Sequence, residues 1–124
     1  MHKTLFIALL AVFTMNACQS QTAQENEFVL PKQAYQEKMA SIDALQLLDV
    51  RTPKEYDAGH IEGAELINFF DEDFVQQVEG KFDKNEPLML YCRSGNRSAK
   101  ATAKLKAAGF KEIYDLKGGY NIWK

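Results

Sequence analysis

The sequence predicts one α/β domain built on a mainly parallel, five-stranded sheet, and three observations predict it. Short apolar runs alternate with helix-favouring stretches along residues 28–124. Leu88-Met89-Leu90-Tyr91 is apolar at four consecutive positions, the pattern of a strand covered on both faces. That run passes through a short basic turn into a stretch rich in Ala, Lys and Leu, so strand and helix follow each other without a hairpin.

Taken in order, Phe28-Val29-Leu30 reads as the first strand and Pro31 to Met39 as a helix. Leu45 to Val50 is the second strand. Thr52-Pro53-Lys54-Glu55 then carries a helix start: a Thr cap, Pro at the first helical position and Glu three residues after the cap. Gly59 closes that helix early. Ala64 to Asn68 forms a third strand and Asp73 to Val78 a helix. Pro87 introduces the strand Leu88 to Tyr91, and the helix Ser98 to Ala107 ends at Gly109. Lys111 to Tyr114 supplies the fifth strand, and Gly118-Gly119-Tyr120-Asn121-Ile122-Trp123 starts a last short helix whose Trp123 packs on the core. No internal repeat and no low-complexity segment interrupts this order.

Residues 1–17 stand apart from the domain. His2-Lys3 is a short basic start, Leu5 to Val12 an apolar core too short for a membrane span, and Met15-Asn16-Ala17-Cys18 follows. This is expected to be a secretory signal. Its end resembles the lipobox of bacterial lipoproteins, in which a cysteine after a small residue is lipidated and becomes the new N-terminus; Ala17-Cys18 fits, whereas Met15 and Asn16 depart from the usual pattern. The expectation is a lipoprotein facing the periplasm, held to the membrane through lipid on Cys18, with residues 18–27 as a polar tether. A soluble periplasmic or secreted protein is the alternative.

With Cys18 lipidated, Cys92 is the one thiol left, so an internal disulfide is ruled out in the mature chain. Loss of Lys3 takes fifteen basic residues to fourteen against seventeen acidic ones. A mildly acidic domain with basic residues concentrated only around Cys92 argues against nucleic acid and for a small anionic ligand. A metal site is not expected, since His60 and one free cysteine do not complete a ligand set.

Cys92 lies at the junction of strand and helix, followed by Arg93-Ser94-Gly95-Asn96-Arg97-Ser98. Backbone N–H groups of such a turn and the positive helix end form an anion cradle, and they favour a thiolate over a thiol. Arg93 and Arg97 act in the same direction, because basic residues at a helix start oppose its dipole unless an anion lies between them. An inert strand-end cysteine is the competing reading. Asp49 and Arg51 fall at the same carboxyl end of the sheet, where open α/β sheets bind ligands. Both read first as loop support: Asp49 is placed to accept from loop amides, and Arg51 to pair with Glu55 or to extend the cationic rim.

Three ordered blocks resemble the signatures of rhodanese-like sulfurtransferase domains: Leu48-Asp49-Val50-Arg51-Thr52-Pro53-Lys54-Glu55-Tyr56 with Gly59-His60-Ile61-Glu62-Gly63-Ala64, then Cys92 to Ser98, then Gly118 to Trp123. The resemblance spans residues 28–124 and implies a five-stranded parallel sheet, a persulfide on Cys92 as covalent intermediate, and no cofactor. It also implies a small anionic sulfur donor such as thiosulfate, and a thiol or cyanide as acceptor. The amides from Arg93 to Ser98 would hold the donor's oxygens, with Arg93 and Arg97 assisting; His60 would pack and hydrogen-bond rather than react. Many relatives continue past the tryptophan whereas this chain stops at Lys124, so the last helix is expected to be short or frayed. Separately, the protein is expected to be a monomer. Two other readings stay open at this point. Cysteine-dependent phosphatases share a Cys…Arg loop but place five residues between the two, where four separate Cys92 from Arg97. A persulfide carrier or binding module without turnover would need the same loop.

Overall fold

The computed structural model describes residues 28–124. The proposed signal, Cys18 and the tether lie outside the described residues. Ten elements follow in strict alternation: β1 (Val29–Leu30), α1 (Lys32–Ser41), β2 (Gln46–Asp49), α2 (Pro53–Ala58), β3 (Glu65–Leu66), α3 (Phe74–Lys81), β4 (Leu88–Tyr91), α4 (Asn96–Ala107), β5 (Ile113–Leu116) and α5 (Tyr120–Trp123). The five strands form one sheet in the order β1-β5-β4-β2-β3, and every pairing is parallel. The expected α/β class is therefore present.

β4 is the middle strand, and its alternation divides the core. Leu88, Leu90 and Cys92 face α3 and α4, where they meet Val78, Ala101 and Leu105. Met89 and Tyr91 face the other layer, with Tyr35 of α1, Ile61, and the partly buried Tyr120 and Trp123 of α5. Burial on both faces explains why all four residues of β4 are apolar or aromatic. The Tyr35 hydroxyl, inside that layer, donates to the Leu90 carbonyl at 3.0 Å.

Most element boundaries move by one to three residues from those read off the sequence, β3 shrinking from Ala64–Asn68 to Glu65–Leu66, and three of the shifts have a plain local reason. α4 begins at Asn96, two residues earlier than expected, because Gly95 takes a left-handed φ of 110° at the N-cap and turns the chain there. α3 runs on to Lys81, since Val78 is fully buried in mid-helix rather than at its end. β5 is Ile113–Leu116, shifted toward the carboxyl end, because Leu88, Met89 and Leu90 pair with Ile113, Tyr114 and Asp115. The capping box of α2 forms as expected: Thr52 Oγ1 accepts from the Glu55 amide and Glu55 Oε1 accepts from the Thr52 amide, both at 3.3 Å.

Candidate active site

The parallel sheet brings the ends of β2 and β4 together, and a backbone hydrogen bond just beyond the strands closes them. The Val50 amide donates to the Tyr91 carbonyl at 3.1 Å, directly before Cys92. Cys92 is 1% exposed and forms the floor of a turn made only of Arg93, Ser94 and Gly95. Asn96, Arg97 and Ser98 belong to the first turn of α4, where the amides have no carbonyl partner within the helix. The Gly95 N–H reaches the Cys92 Sγ at 3.0 Å. The thiol lies 3.3 Å from the Ser98 Oγ, which it meets as donor, and Ser98 in turn donates to Asp115 Oδ2 at 3.0 Å.

Helix α5 clasps the turn from outside. The Tyr120 amide donates to the Cys92 carbonyl at 2.8 Å and the Asn121 amide to the Arg93 carbonyl at 3.0 Å. These bonds require Gly119 to pass against the turn. A Cβ on Gly119 would sit 2.5 Å from the Cys92 oxygen and 2.6 Å from the Arg93 oxygen, and its φ of 62° also favours glycine.

The arginines are distributed differently from the sequence-based expectation. Arg97 is not left as a free cation at the cradle; its guanidinium is bound bidentately to Glu55 of α2, at 2.7 and 2.8 Å, while still close enough to interact with Cys92. That carboxylate supplies the anion that a basic residue at a helix start needs, so the unbalanced charge expected from the sequence is balanced inside the protein. Arg97 in return holds the Glu55 carboxyl down to about 2. Arg51 does not pair with Glu55 either. Its guanidinium joins Asp49 at 2.7 to 3.1 Å and the Gly59 carbonyl at 2.7 Å, with Asp49 fully buried and Arg51 3% exposed. Asp49 accepts from Arg51's own amide rather than from the Cys92 turn. The pair braces the β2 end under Tyr91 and Tyr120, whose rings lie 5.5 and 4.4 Å from the guanidinium. Arg93 is left exposed and makes no ion pair among the described residues.

A cavity of about 390 Å³ opens beside the turn, lined by Arg51, Glu55, Gly59, Arg93, Tyr120 and Lys124 among others. Its free cationic groups, Arg93 and Lys124, suit an anionic ligand. Cys92, buried beneath the turn, is not among its lining residues, whereas Arg93 of the same turn is. His60 stays apart from this arrangement, stacked on Tyr56 at 3.6 Å with its Nδ1 2.9 Å from the Tyr56 carbonyl.

Asp115 is the site neighbour that the sequence reading missed. Placing the fifth strand at 111–114 left it outside the sheet, yet a lone carboxylate between Tyr114 and Leu116 in a strand-like run was the available signal. It is 3% exposed, and burial raises its carboxyl to about 7 against the opposing effect of the Ser98 hydroxyl.

A family model described as a rhodanese-like domain matches residues 31–124. A protein of Arabidopsis thaliana named thiosulfate sulfurtransferase 16, chloroplastic, is 39% identical over 85 residues, covering 61% of this chain and 71% of that protein. The uncharacterized protein YqhL of Bacillus subtilis (strain 168) is 31% identical over 123 residues, covering 99% of this chain and 94% of that one. Among solved structures, a rhodanese-like domain protein from Staphylococcus aureus superposes with a TM-score of 0.67 at 30% identity, over 77% of this chain and 90% of the other.

Proposed function

The chain belongs to the rhodanese-like domain family, and from that premise we propose that it is a sulfurtransferase working through a persulfide on Cys92. The observation that carries the proposal is the Gly95 N–H aimed at the Cys92 sulfur at 3.0 Å, beside the unpaired amides that open α4. That arrangement favours negative charge on sulfur, which is what a nucleophilic thiolate and a persulfide anion both carry. The thiolate attacks the outer sulfur of thiosulfate; the sulfur–sulfur bond of the donor breaks, and sulfite leaves with the electron pair. A second nucleophile, a thiol or cyanide, then takes the outer sulfur of Cys92-S-S⁻ and restores the thiolate, a ping-pong cycle that consumes no cofactor. Arg93 and the amides of the turn meet the donor's oxygens. Purified protein is expected to convert thiosulfate and cyanide to sulfite and thiocyanate, and Cys92→Ser to abolish the conversion. After thiosulfate treatment, mass spectrometry of the Cys92 peptide is expected to show one added sulfur. An unmodified Cys92 together with no turnover refutes the assignment.

The reading of residues 1–18 as a lipoprotein signal joins this proposal on sequence alone. It places the domain on the periplasmic side of a bacterial envelope, anchored by lipid chains that contribute roughly 0.8 kcal/mol per buried methylene. Radiolabelled fatty acid is expected to enter the full-length protein and not its Cys18→Ser variant. A label-free soluble species would leave the soluble periplasmic alternative.

A further inference from the structure

The Cys92 sulfur is the first member of a buried chain that runs away from the cavity and into the sheet. The thiol donates to Ser98 Oγ at 3.3 Å, and the Ser98 hydroxyl donates to Asp115 Oδ2 at 3.0 Å. The donors point one way, from sulfur toward carboxylate. Three elements fix this line: Cys92 directly follows β4, Ser98 is in the first turn of α4, and Asp115 stands on β5 at the register position of Leu90, two residues before the cysteine. Ser98 is fully buried and carries a single hydrogen, for which the Gly95 carbonyl at 3.2 Å is the only other acceptor among the described residues. The far oxygen of Asp115, Oδ1, is buried with no hydrogen-bond partner among the described residues, the Leu116 amide being the other group that acts on this carboxyl. A second cavity, of about 330 Å³, meets Asp115 there, between α4 and Phe28-Val29, with the equally unpartnered Thr102 Oγ1 among its lining residues.

We propose that Asp115 is a positioning residue that shares a proton with the Cys92 thiol through Ser98, so that the thiol ionises inward to a carboxylate on β5. The step balances within the protein. The S–H bond breaks and its proton joins Ser98 Oγ, while the Ser98 proton passes to Asp115 Oδ2 and the electron pair stays on Sγ. Thiol and carboxylate become thiolate and carboxylic acid, with no change of net charge; the acid then exchanges its proton with solvent through the second cavity. Because sulfur transfer returns Cys92 as a thiolate, the exchange is needed to ionise the resting thiol and not in every turnover. The inference rests on the reading of Cys92 as the nucleophile.

A carboxyl that titrates near 7 is matched to a thiol in a way that an ordinary surface carboxylate is not. The other charged and titratable groups that face the line are few. Around Asp115, β1 and β4 offer only Val29, Leu30 and Leu90, α4 offers the cation Lys106 at the second cavity, and the phenol of Tyr35 on α1 is pushed well above its ordinary value by burial. Around Cys92, Arg97 is raised by its bond to Glu55, Glu55 is held to about 2, Arg51 is raised by Asp49 against its burial, and Arg93 is exposed.

The test reads the thiolate and not the transfer reaction, so it remains informative even if the protein fails to turn over thiosulfate. Alkylation of the full chain by iodoacetamide is followed against pH, with Cys92 separated from Cys18 by peptide mass. The wild-type rate is expected to rise in two steps, as two coupled groups require, and Asp115→Asn to show one step, complete about one pH unit or more below the upper wild-type step. Asparagine retains an acceptor for the Ser98 hydroxyl, so the bond is kept and only the charge is lost. In parallel, the Asp115 carboxyl carbon of the wild-type protein is titrated by NMR before and after alkylation, which needs no variant to fold. It is expected to titrate near 7 in two steps and to collapse to one once the sulfur is capped. Superimposable alkylation profiles, a carboxyl that titrates below about 5, or a titration unmoved by capping would each overturn the proposal.

Discussion

Arg97 and Glu55, 42 positions apart, are joined by two parallel hydrogen bonds of 2.7 and 2.8 Å that tie the first turn of α4 to the first turn of α2. The same carboxylate closes the α2 capping box on Thr52, so one side chain fixes the start of two helices on either side of the Cys92 turn. Arg97 therefore ties the turn to α2 as well as neighbouring Cys92, and Arg93 is the exposed cation of the turn.

The pair has a pH signature. Glu55 is held to about 2, below its ordinary value, by the Arg97 hydrogen bonds. A carboxyl depressed on folding stabilises the protein above its unfolded pKa and loses that contribution as pH falls through the folded value. Glu55→Gln is thus expected to lower stability by about 1–2 kcal/mol at pH 7, a figure reduced for partial exposure of both side chains. Urea midpoints of wild type and variant should converge between about pH 4.5 and 2. A difference that stays constant through this window counts against the pair.

Arg93 should carry the recognition of an anionic donor. Arg93→Ala is expected to reduce kcat/KM for thiosulfate by about ten- to a hundred-fold, as for loss of one charge-assisted contact of 1.5–3 kcal/mol. Lys104→Ala, two turns along α4, is the control, and its kinetics should match wild type. Added salt should narrow the gap between wild type and Arg93→Ala, because an exposed charge is screened. Equal kinetics for the two variants would remove Arg93 from donor binding.

Gly119 offers a structural test of the clasp. Gly119→Ala places a Cβ 2.5 Å from the Cys92 oxygen, so α5 must lift from the turn and lose the Tyr120 and Asn121 amide bonds. Two lost bonds and a left-handed φ together predict a cost above about 2 kcal/mol. Gly63→Ala has a comparable φ of 85° but meets nothing within 4 Å, and should cost only about 1–2 kcal/mol. Thermal unfolding of the two variants checks the contrast; an equal loss would mean that contact with the turn contributes nothing.

Local chemistry was readable from the sequence and distant pairing was not. The apolar run of β4, the Thr52–Glu55 box and the Cys92 junction depend on neighbours within a few residues, and all three were placed correctly. Asp49 and Arg51 were read as support, but their pairing with each other was not foreseen, although they are only two positions apart. Glu55 was visible as a cap and invisible as Arg97's partner, because nothing in its own segment reports on α4. Asp115 was lost for a different reason: a shift of two residues in β5 moved it out of the strand.

The sheet's outer strands, β1 and β3, are each two residues long, whereas the three inner strands have four. Such stubs expose little unpaired backbone at the rims, so a neighbouring chain finds no ladder to extend. A protein that receives sulfur from this domain would have to meet it by side-chain contact at the carboxyl end of the strands, not by adding a strand of its own. Encounters there can be brief and reversible. Crowding of many copies should for the same reason not seed a continuous intermolecular sheet.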